Sequence, residues 1–244
     1  MDGPGIKTVE AAALAGRPLR HFDYVMAAFV TVLLLSNVIG AGKIAAIPLA
    51  GGGEWAFGAG ILFFPLSYVI GDVLTEVYGF ARARRCIWAG FAGLVFMAAM
   101  AMVVVALPPA RSWHGQEAYR QIFGKVPQIV FASILAFWAG EFVNSYVLAR
   151  MKIRTKGRHL WSRTIGSTVA GQGVDSLIFY PVAFFGAMDA ETIVWLGLTQ
   201  WGLKVAWEAI LTPATYAAVG WLKRREGVDV YDEGTDFTPF RAKV

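Results

Sequence analysis

Five carboxylic acids lie within long apolar stretches of the chain, where an ionised group is costly. They are Asp72, Glu76, Glu141, Asp175 and Glu208, and a single base, Lys204, accompanies them. On insertion scales each such group costs a few kcal/mol at the centre of a bilayer. We therefore expect these side chains to face the interior of a helix bundle, where they pair with one another, bind a polar ligand or are protonated.

Helical spacing places further polar groups beside the acids. Glu141 and Asn144 are three residues apart and share one helix face, as do Gln172 and Asp175 in a later stretch. Together with the many aromatic residues, these groups predict a pocket for a small, flat, polar heterocycle, whose edge needs hydrogen bonds and whose faces need stacking.

Two further segments carry polar groups of interest. Lys204 and Glu208 are four residues apart, a spacing that allows an ion pair within one helix as the structural alternative to ligand binding. Asn37 precedes Gly40 and Gly42, where we expect the first helix to loosen so that its backbone can contact a ligand.

Each acid also has a structural interpretation. Asp72 or Glu76, near the end of a stretch, would pair with an arginine of a cytoplasmic loop and fix the helix end. Glu141 and Asp175 would form a hydrogen-bonded clasp between helices, and Asn37 an ordinary interhelical hydrogen bond. The spacing alone leaves these roles and ligand binding as alternatives.

Six apolar stretches, each long enough to cross a membrane as a helix, must position these side chains. They span residues 22–42, 56–79, 86–107, 127–149, 164–187 and 192–221. The chain is 57% hydrophobic and only 16% charged, which excludes an ordinary soluble domain and a disordered chain. The sequence therefore predicts an all-α polytopic membrane protein with six transmembrane helices.

The distribution of positive charge predicts the orientation of these helices. Most of the 22 Lys and Arg residues flank the stretches on one side, so we expect both termini to be cytoplasmic. The chain then divides into an N-terminal tail, 1–21, a six-span membrane domain, 22–225, and a C-terminal tail, 226–244. The sequence SYVIG at 67–71 is echoed by STVAG at 167–171, which is compatible with a 3+3 inverted repeat.

Neither a metal nor a cofactor is expected. Cys86 is the only cysteine, and the three histidines lie in polar flanks, so the usual soft metal ligands do not cluster. The chain lacks a Gly-x-x-x-x-Gly-Lys-Ser/Thr loop, so any coupling to ATP would come from another protein. The net charge of +5 reflects membrane orientation, and we expect no nucleic-acid partner.

Five ordered segments resemble the queuosine precursor transporter family, also called the vitamin uptake transporter family. Their sequences are SNVIGAGK at 36–43, GDVLTEVYG at 71–79, GEFVNSYVLAR at 140–150, STVAGQGVDSLIF at 167–179 and KVAWEAILTPATY at 204–216. The resemblance covers about 22–225. It implies a bacterial inner-membrane carrier that imports the queuosine precursors 7-cyano-7-deazaguanine, 7-aminomethyl-7-deazaguanine or both.

The polar positions of these segments are the expected site. The resemblance implies that Lys43 and Glu76 also occupy polar positions of the family. We expect the substrate to be bound by Asn37, Asp72, Glu141, Asn144, Gln172, Asp175, Lys204 and Glu208. A 2-amino-4-oxopyrimidine ring presents two adjacent N–H donors, which one carboxylate, that of Glu141 or Asp175, can accept together.

Two other functions compete with this interpretation. An intramembrane aspartyl protease would carry a Gly-x-Gly-Asp motif, but Asp72 lacks the first glycine and Asp175 follows Gly171 with one residue too many. A substrate-capture subunit of an energy-coupling vitamin transporter is also small and six-spanning, and depends on a separate ATPase. We also expect a homodimer, in which Gly90 and Gly93 would permit close helix approach.

Overall fold

Seven α-helices dominate the part of the chain that the computed structural model describes, which comprises residues 6–10, 18–40, 44–48, 51–52, 54–124, 127–186 and 189–240. The helices are α1 (Phe22–Leu35), α2 (Phe64–Tyr78), α3 (Phe80–Ala106), α4 (Gln116–Phe123), α5 (Pro127–Arg154), α6 (Leu160–Phe184) and α7 (Ala190–Glu226). The strands are β1 (Lys7–Glu10), β2 (Ile44–Pro48), β3 (Glu54–Gly58) and β4 (Val228–Tyr231). The predicted all-helical bundle is confirmed, with two small sheets added to it.

The region between α1 and α2 differs most from the sequence prediction. The predicted second span, 56–79, begins instead as strand β3, which pairs antiparallel with β2, and continues as a 3₁₀ turn over Ala59–Leu62. Glycines are frequent here, and Pro65 occupies the first turn of α2, a position that proline favours because it needs no backbone N–H partner. The prediction of a continuous helix from residue 56 was therefore wrong.

The expectation that the first helix loosens near Asn37 is confirmed. The helix changes to π-helical geometry over Ser36–Gly40, and such turns are frequent at functional sites. Lys43, and the glycine at 42, lie outside the described residues.

Three described helices have the length and composition of a membrane span: Phe22–Ile39, Phe80–Ala106 and Phe131–Arg154. Helices α6 and α7 have 25 and 37 residues and are long enough, but they carry more polar and charged groups. Helix α2 has 15 residues, fewer than the roughly 20 that a span needs. The chain is thus an integral membrane protein with at least three helices of span character.

Glycines in α3 are used inside the chain. A Cβ atom at Gly90 would lie 2.8 Å from Leu33 Cδ2 of α1, and one at Gly93 would lie 3.5 Å from Leu34 Cδ2. The small-residue face that the sequence offered for dimer contact therefore packs against α1. This close approach buries Phe29 and Leu33 in the hydrophobic core with residues of α2 and α3.

The described segments that flank the helices at the N-terminal and C-terminal sides pack on one end of the bundle, which we call the terminal end. Strands β1 and β4 pair in parallel, from Lys7 opposite Val228 to Glu10 opposite Tyr231. The carboxylate of Glu226 accepts the backbone N–H groups of Arg20 and His21 at 3.0 and 2.7 Å. Such contacts fix the tails on the bundle.

Candidate functional site

A cavity of about 330 Å³ lies among α1, α2, α5, α6 and α7, in the half of the bundle away from the terminal end. Five of the eight residues predicted to bind substrate line it: Asn37, Glu141, Gln172, Asp175 and Lys204. Its aromatic wall consists of Phe64, Tyr68, Phe137, Phe179, Tyr180 and Phe184. The volume lies at the lower end of the range for small-molecule pockets.

The close packing of α5 on α6 positions two acids of this cavity. A Cβ atom at Gly140 would lie 3.0 Å from the carbonyl oxygen of Gly171, and one at Gly171 would lie 2.8 Å from that of Gly140. Only glycine permits such backbone proximity. It places Glu141, the residue after Gly140, near Gln172 and Asp175 of α6.

Glu141 presents an unpaired carboxylate. The residue is 2% exposed, and neither side-chain oxygen has a hydrogen-bond donor among the described residues. A Cβ atom at Gly71 would lie 3.0 Å from Glu141 Oε2, so α2 must carry a glycine where the carboxylate rests against it. A buried carboxylate without a donor is unfavourable, which makes Glu141 a candidate for ligand binding.

Lys204 forms an ion pair with Asp175, not with Glu208. Its Nζ atom lies 2.5 Å from Asp175 Oδ2, and it also lies 5.8 Å from the centre of the Tyr68 ring. The alternative of an ion pair within α7 was wrong because the neighbouring helix α6 offers Lys204 a carboxylate across the cavity. Glu208 lies one turn away along α7, outside the cavity lining.

Asp72, Asn144 and Glu208, which we call the carboxylate layer, are buried between the cavity and the terminal end. Asn144 Nδ2 donates to Asp72 Oδ1 at 2.7 Å. The other Asp72 oxygen and both oxygens of Glu208 have no hydrogen-bond partner within the described ranges. These are the three predicted substrate-binding residues that do not line the cavity.

Glu76 belongs to an ion cluster at the terminal end, the terminal cluster, with Lys152, Arg163, Lys223 and Asp229. Arg163 binds both Glu76 oxygens at 2.8 and 2.7 Å, and Lys223 Nζ lies 2.7 Å from Glu76 Oε1. Lys152 donates to Asp229 Oδ1 at 2.7 Å. The cluster joins α2, α5, α6, α7 and β4, and it confirms the structural interpretation of Glu76 as a carboxylate paired with an arginine.

Tyr68 of the cavity and the buried bases of the terminal cluster were not predicted from the sequence. Tyr68 lines the cavity, but a tyrosine in an apolar stretch looks like packing or an interfacial anchor. Lys152, Arg163 and Lys223 were counted as loop charges. Their long side chains reach back into the bundle end, and Lys152 and Arg163 are 1% and 2% exposed. The sequence signal for Tyr68 was its four-residue spacing from Asp72 and Glu76, which places the three residues on one helix face.

A cavity with an aromatic wall and a few convergent polar side chains, set within a bundle of apolar helices, is typical of a membrane transporter. A family model described as "Putative vitamin uptake transporter" matches residues 58–218. The chain belongs to the vitamin uptake transporter family. No solved structure gives a significant match to it.

Two bacterial relatives support this assignment. Over 148 residues the chain is 36% identical to "Probable queuosine precursor transporter" of Bacillus subtilis (strain 168), covering 60% of this chain and 65% of that protein. Over 131 residues it is 28% identical to "Queuosine precursor transporter" of Escherichia coli (strain K12), covering 54% and 57%. The matched region thus spans less than two thirds of each of these relatives.

Proposed function

We propose that this protein carries a 7-deazaguanine precursor of queuosine across the bacterial inner membrane. The observation that carries the proposal is the unpaired carboxylate of Glu141 on the wall of an aromatic-lined cavity. The names of the two relatives support the same substrate class. Both 7-cyano-7-deazaguanine and 7-aminomethyl-7-deazaguanine fit this description.

Glu141 is the acceptor for the substrate edge. The 2-amino group and the adjacent ring N–H of a 7-deazaguanine point in the same direction, so both can donate to one carboxylate. Of the two described acids that line the cavity, Asp175 is already bound by Lys204, which leaves Glu141 with both carboxylate oxygens free to accept hydrogen bonds. The substrate thus supplies the two donors that the protein does not.

The other polar groups of the cavity complete the recognition. Gln172 has an amide that can donate to the ring carbonyl, and it lines the cavity with Glu141 and Asn37. Asn37 Nδ2 donates to the Leu33 carbonyl of its own helix at 2.9 Å, so the expected interhelical hydrogen bond was wrong, and its second N–H can donate to the substrate. Phe137 and Tyr68 lie on the same lining and offer flat apolar faces for the ring. Asp175 and Lys204, an ion pair open to the cavity, would exchange partners with polar substituents of the substrate.

Purified protein in sealed vesicles tests this proposal. We expect saturable uptake of 7-cyano-7-deazaguanine without ATP, competed by guanine analogues that keep the 2-amino group and not by those that lack it. Uptake that requires an added ATPase module would instead support a substrate-capture subunit. Absence of both binding and uptake would overturn the proposal.

We also propose the six-span topology with both termini cytoplasmic, which places the terminal end inside the cell. The positively charged flanks near the terminal end support it. A reporter fused at Pro109 should read external and one at Arg84 internal. A cytoplasmic reading at Pro109 would contradict this map. The 3+3 inverted repeat belongs to the same proposal, and the similar sequences SYVIG at 67–71 and STVAG at 167–171 support it.

A homodimer with one site in each protomer remains our proposal for the assembly. Because Gly90 and Gly93 contact α1, the dimer face must lie elsewhere on the bundle. Mass measurement in mild detergent should give twice the 26.5 kDa of the chain. A single chain with full ligand affinity would exclude it.

A further inference from the structure

The carboxylate layer lies directly beyond the cavity on two helices. Asp72 follows Tyr68 by four residues on α2, and Glu208 follows Lys204 by four residues on α7, so each acid is one helical turn deeper than a cavity residue. The layer is therefore adjacent to the site without being part of its wall.

The layer holds two carboxyl groups but shows one donor. Asp72 and Glu208 are 0% and 1% exposed, so water does not satisfy their oxygens from the surface. Asn144 supplies one N–H to Asp72, and its own Oδ1 atom has no partner among the described residues. Three carboxyl oxygens and one amide oxygen, all acceptors, are thus left facing no donor.

The surrounding charges add to this deficit. The groups that act electrostatically on Asp72 are Glu208 of α7, Glu141 of α5 and Glu76 of its own helix, all acidic. Lys204, the one cation among the described residues that line the cavity, is bound to Asp175. The cations at the terminal end contact Glu76 and Asp229. Among described residues no base pairs with the layer.

We propose that the carboxylate layer binds a proton that Asp72 and Glu208 share, and that this proton is transported together with the substrate. Protonation removes one negative charge from a layer that no described base neutralises, and it turns one carboxyl group from an acceptor into an O–H donor. A proton fits better than a metal ion, because the described residues contain no group of three or more acidic, histidine or cysteine ligands that would hold one.

Glu141 links the two sites. It lines the cavity, and it interacts electrostatically with both Glu208 and Asp72. Substrate binding, in the role we have proposed for Glu141, requires its ionised form. The other charges that act on Glu141 are those of Asp175 and Lys204, which neutralise each other as an ion pair. Neutralising the layer removes further like charge and so favours the ionised form of Glu141. Proton binding to the layer and substrate binding to Glu141 therefore reinforce each other, which is the thermodynamic condition for symport.

The test measures proton uptake and substrate accumulation in the same vesicles, and it rests on the proposed substrate. Protein is reconstituted into vesicles that contain a pH-sensitive dye, with the membrane potential clamped by potassium and valinomycin, and 7-cyano-7-deazaguanine is added outside. With the outside more acidic by one pH unit, one proton per substrate predicts accumulation of about tenfold. Substrate should acidify the lumen.

Two variants and one control separate the layer from the cavity. Glu208→Gln and Asp72→Asn should each lose accumulation and substrate-dependent acidification, so that uptake ends at equal concentrations. The control Glu117→Gln, on the exposed helix α4, should behave as the wild type. Full acidification in Glu208→Gln, or wild-type uptake that ignores the pH gradient, would overturn the proposal.

A substrate-independent measurement distinguishes failure of this proposal from failure of the proposed function. Infrared spectra of the folded, purified protein should show the C=O stretch of a protonated carboxyl group at neutral pH, and Glu208→Gln should lose it while Glu117→Gln keeps it. If the band is present but no 7-deazaguanine is carried, the substrate assignment is wrong and the proton site stands. If the band is unchanged in Glu208→Gln, the proton site is wrong.

Discussion

The buried acids of the terminal cluster and those of the cavity with its carboxylate layer differ in how many basic partners they contact. In the terminal cluster two acids, Glu76 and Asp229, contact three bases, and Glu76 receives direct contacts from Arg163, Lys223 and Lys152. Among the described residues around the cavity and its layer, four acids accompany one base, Lys204. The same residue types are thus structural where partners surround them and available for function where partners are missing.

The energetic reason lies in desolvation. A buried carboxylate loses hydration that only donors or cations can replace. Glu76 obtains this replacement from the protein itself, so its pairing holds four helices and β4 together. Glu141 and Glu208 do not, and a ligand or a proton must supply what is missing. Removing a terminal-cluster acid should therefore damage stability, while removing a cavity acid should damage binding.

Glu76→Gln should have the largest effect. Loss of the charge leaves Lys152, Arg163 and Lys223 with only Asp229 as counter-ion, and an uncompensated buried charge costs about 3–5 kcal/mol. We expect a markedly lower thermal unfolding midpoint in detergent. Glu117→Gln, which removes one partner of an exposed pair with Arg120, is the matched control and should change little. An unchanged midpoint for Glu76→Gln would remove the distinction between the two regions.

Glu141→Gln should weaken binding without destabilising the protein. The change keeps the shape but removes the charged acceptor for two substrate donors, at a cost of about 1.5–3 kcal/mol of binding, or roughly 10- to 150-fold in Kd. Because Glu141 has no protein donor to lose, the unfolding midpoint should stay close to that of the wild type. Calorimetric titration with 7-cyano-7-deazaguanine measures the first quantity. Unchanged affinity would return Glu141 to the role of a helix clasp.

The Asp175 and Lys204 pair should show an intermediate effect, because it is paired yet open to the cavity. Asp175→Asn and Lys204→Met each break the ion pair, and the double variant removes both charges. The sum of the two single effects on the free energy of unfolding should exceed the effect of the double variant by about 1–2 kcal/mol, because each single change leaves the partner's charge unpaired. Strict additivity in unfolding free energy would show that the contact contributes nothing.

Asp232 should give the smallest effect, on the pH dependence of stability. It follows β4, and burial raises the pKa of its carboxyl group above the usual 3.8, although it accepts the N–H of Phe80. The folded state therefore holds this proton more tightly, so stability falls as pH rises from 3.8 through the folded-state pKa. In Asp232→Asn the thermal unfolding midpoint should not show this decline as pH rises. Parallel pH profiles of the midpoint in the variant and the wild type would contradict this prediction.

Much of the fold was predictable because it depends on local composition. Long apolar stretches predict helices whatever their neighbours, and the positions of α3, α5, α6 and α7 agree with the sequence to within several residues at most boundaries. The hairpin of β2 and β3 was missed. Its residues are as apolar as those of a helix, and hydropathy does not separate the two structures when a run is short.

The candidate site was predictable in its members and not in their pairing. Residue type and helical spacing identified the acids and their amide neighbours, because a carboxylate in an apolar stretch is costly wherever the helix lies. Spacing along one helix also suggested that Lys204 binds Glu208. The contact with Asp175 depends on how α6 packs against α7, about which the sequence of α7 alone carries no information.

The sequence by itself determined that this protein is a helical membrane protein with more buried acids than bases, since composition and periodicity are properties of the chain. The tertiary structure decided which acids are paired. Close approach at Gly140 and Gly171 brings Glu141 to the cavity, whereas Lys152 and Arg163, distant from Glu76 in sequence, reach it through packing. Pairing depends on distances between helices, and these are fixed only when the small residues of neighbouring helices come into contact.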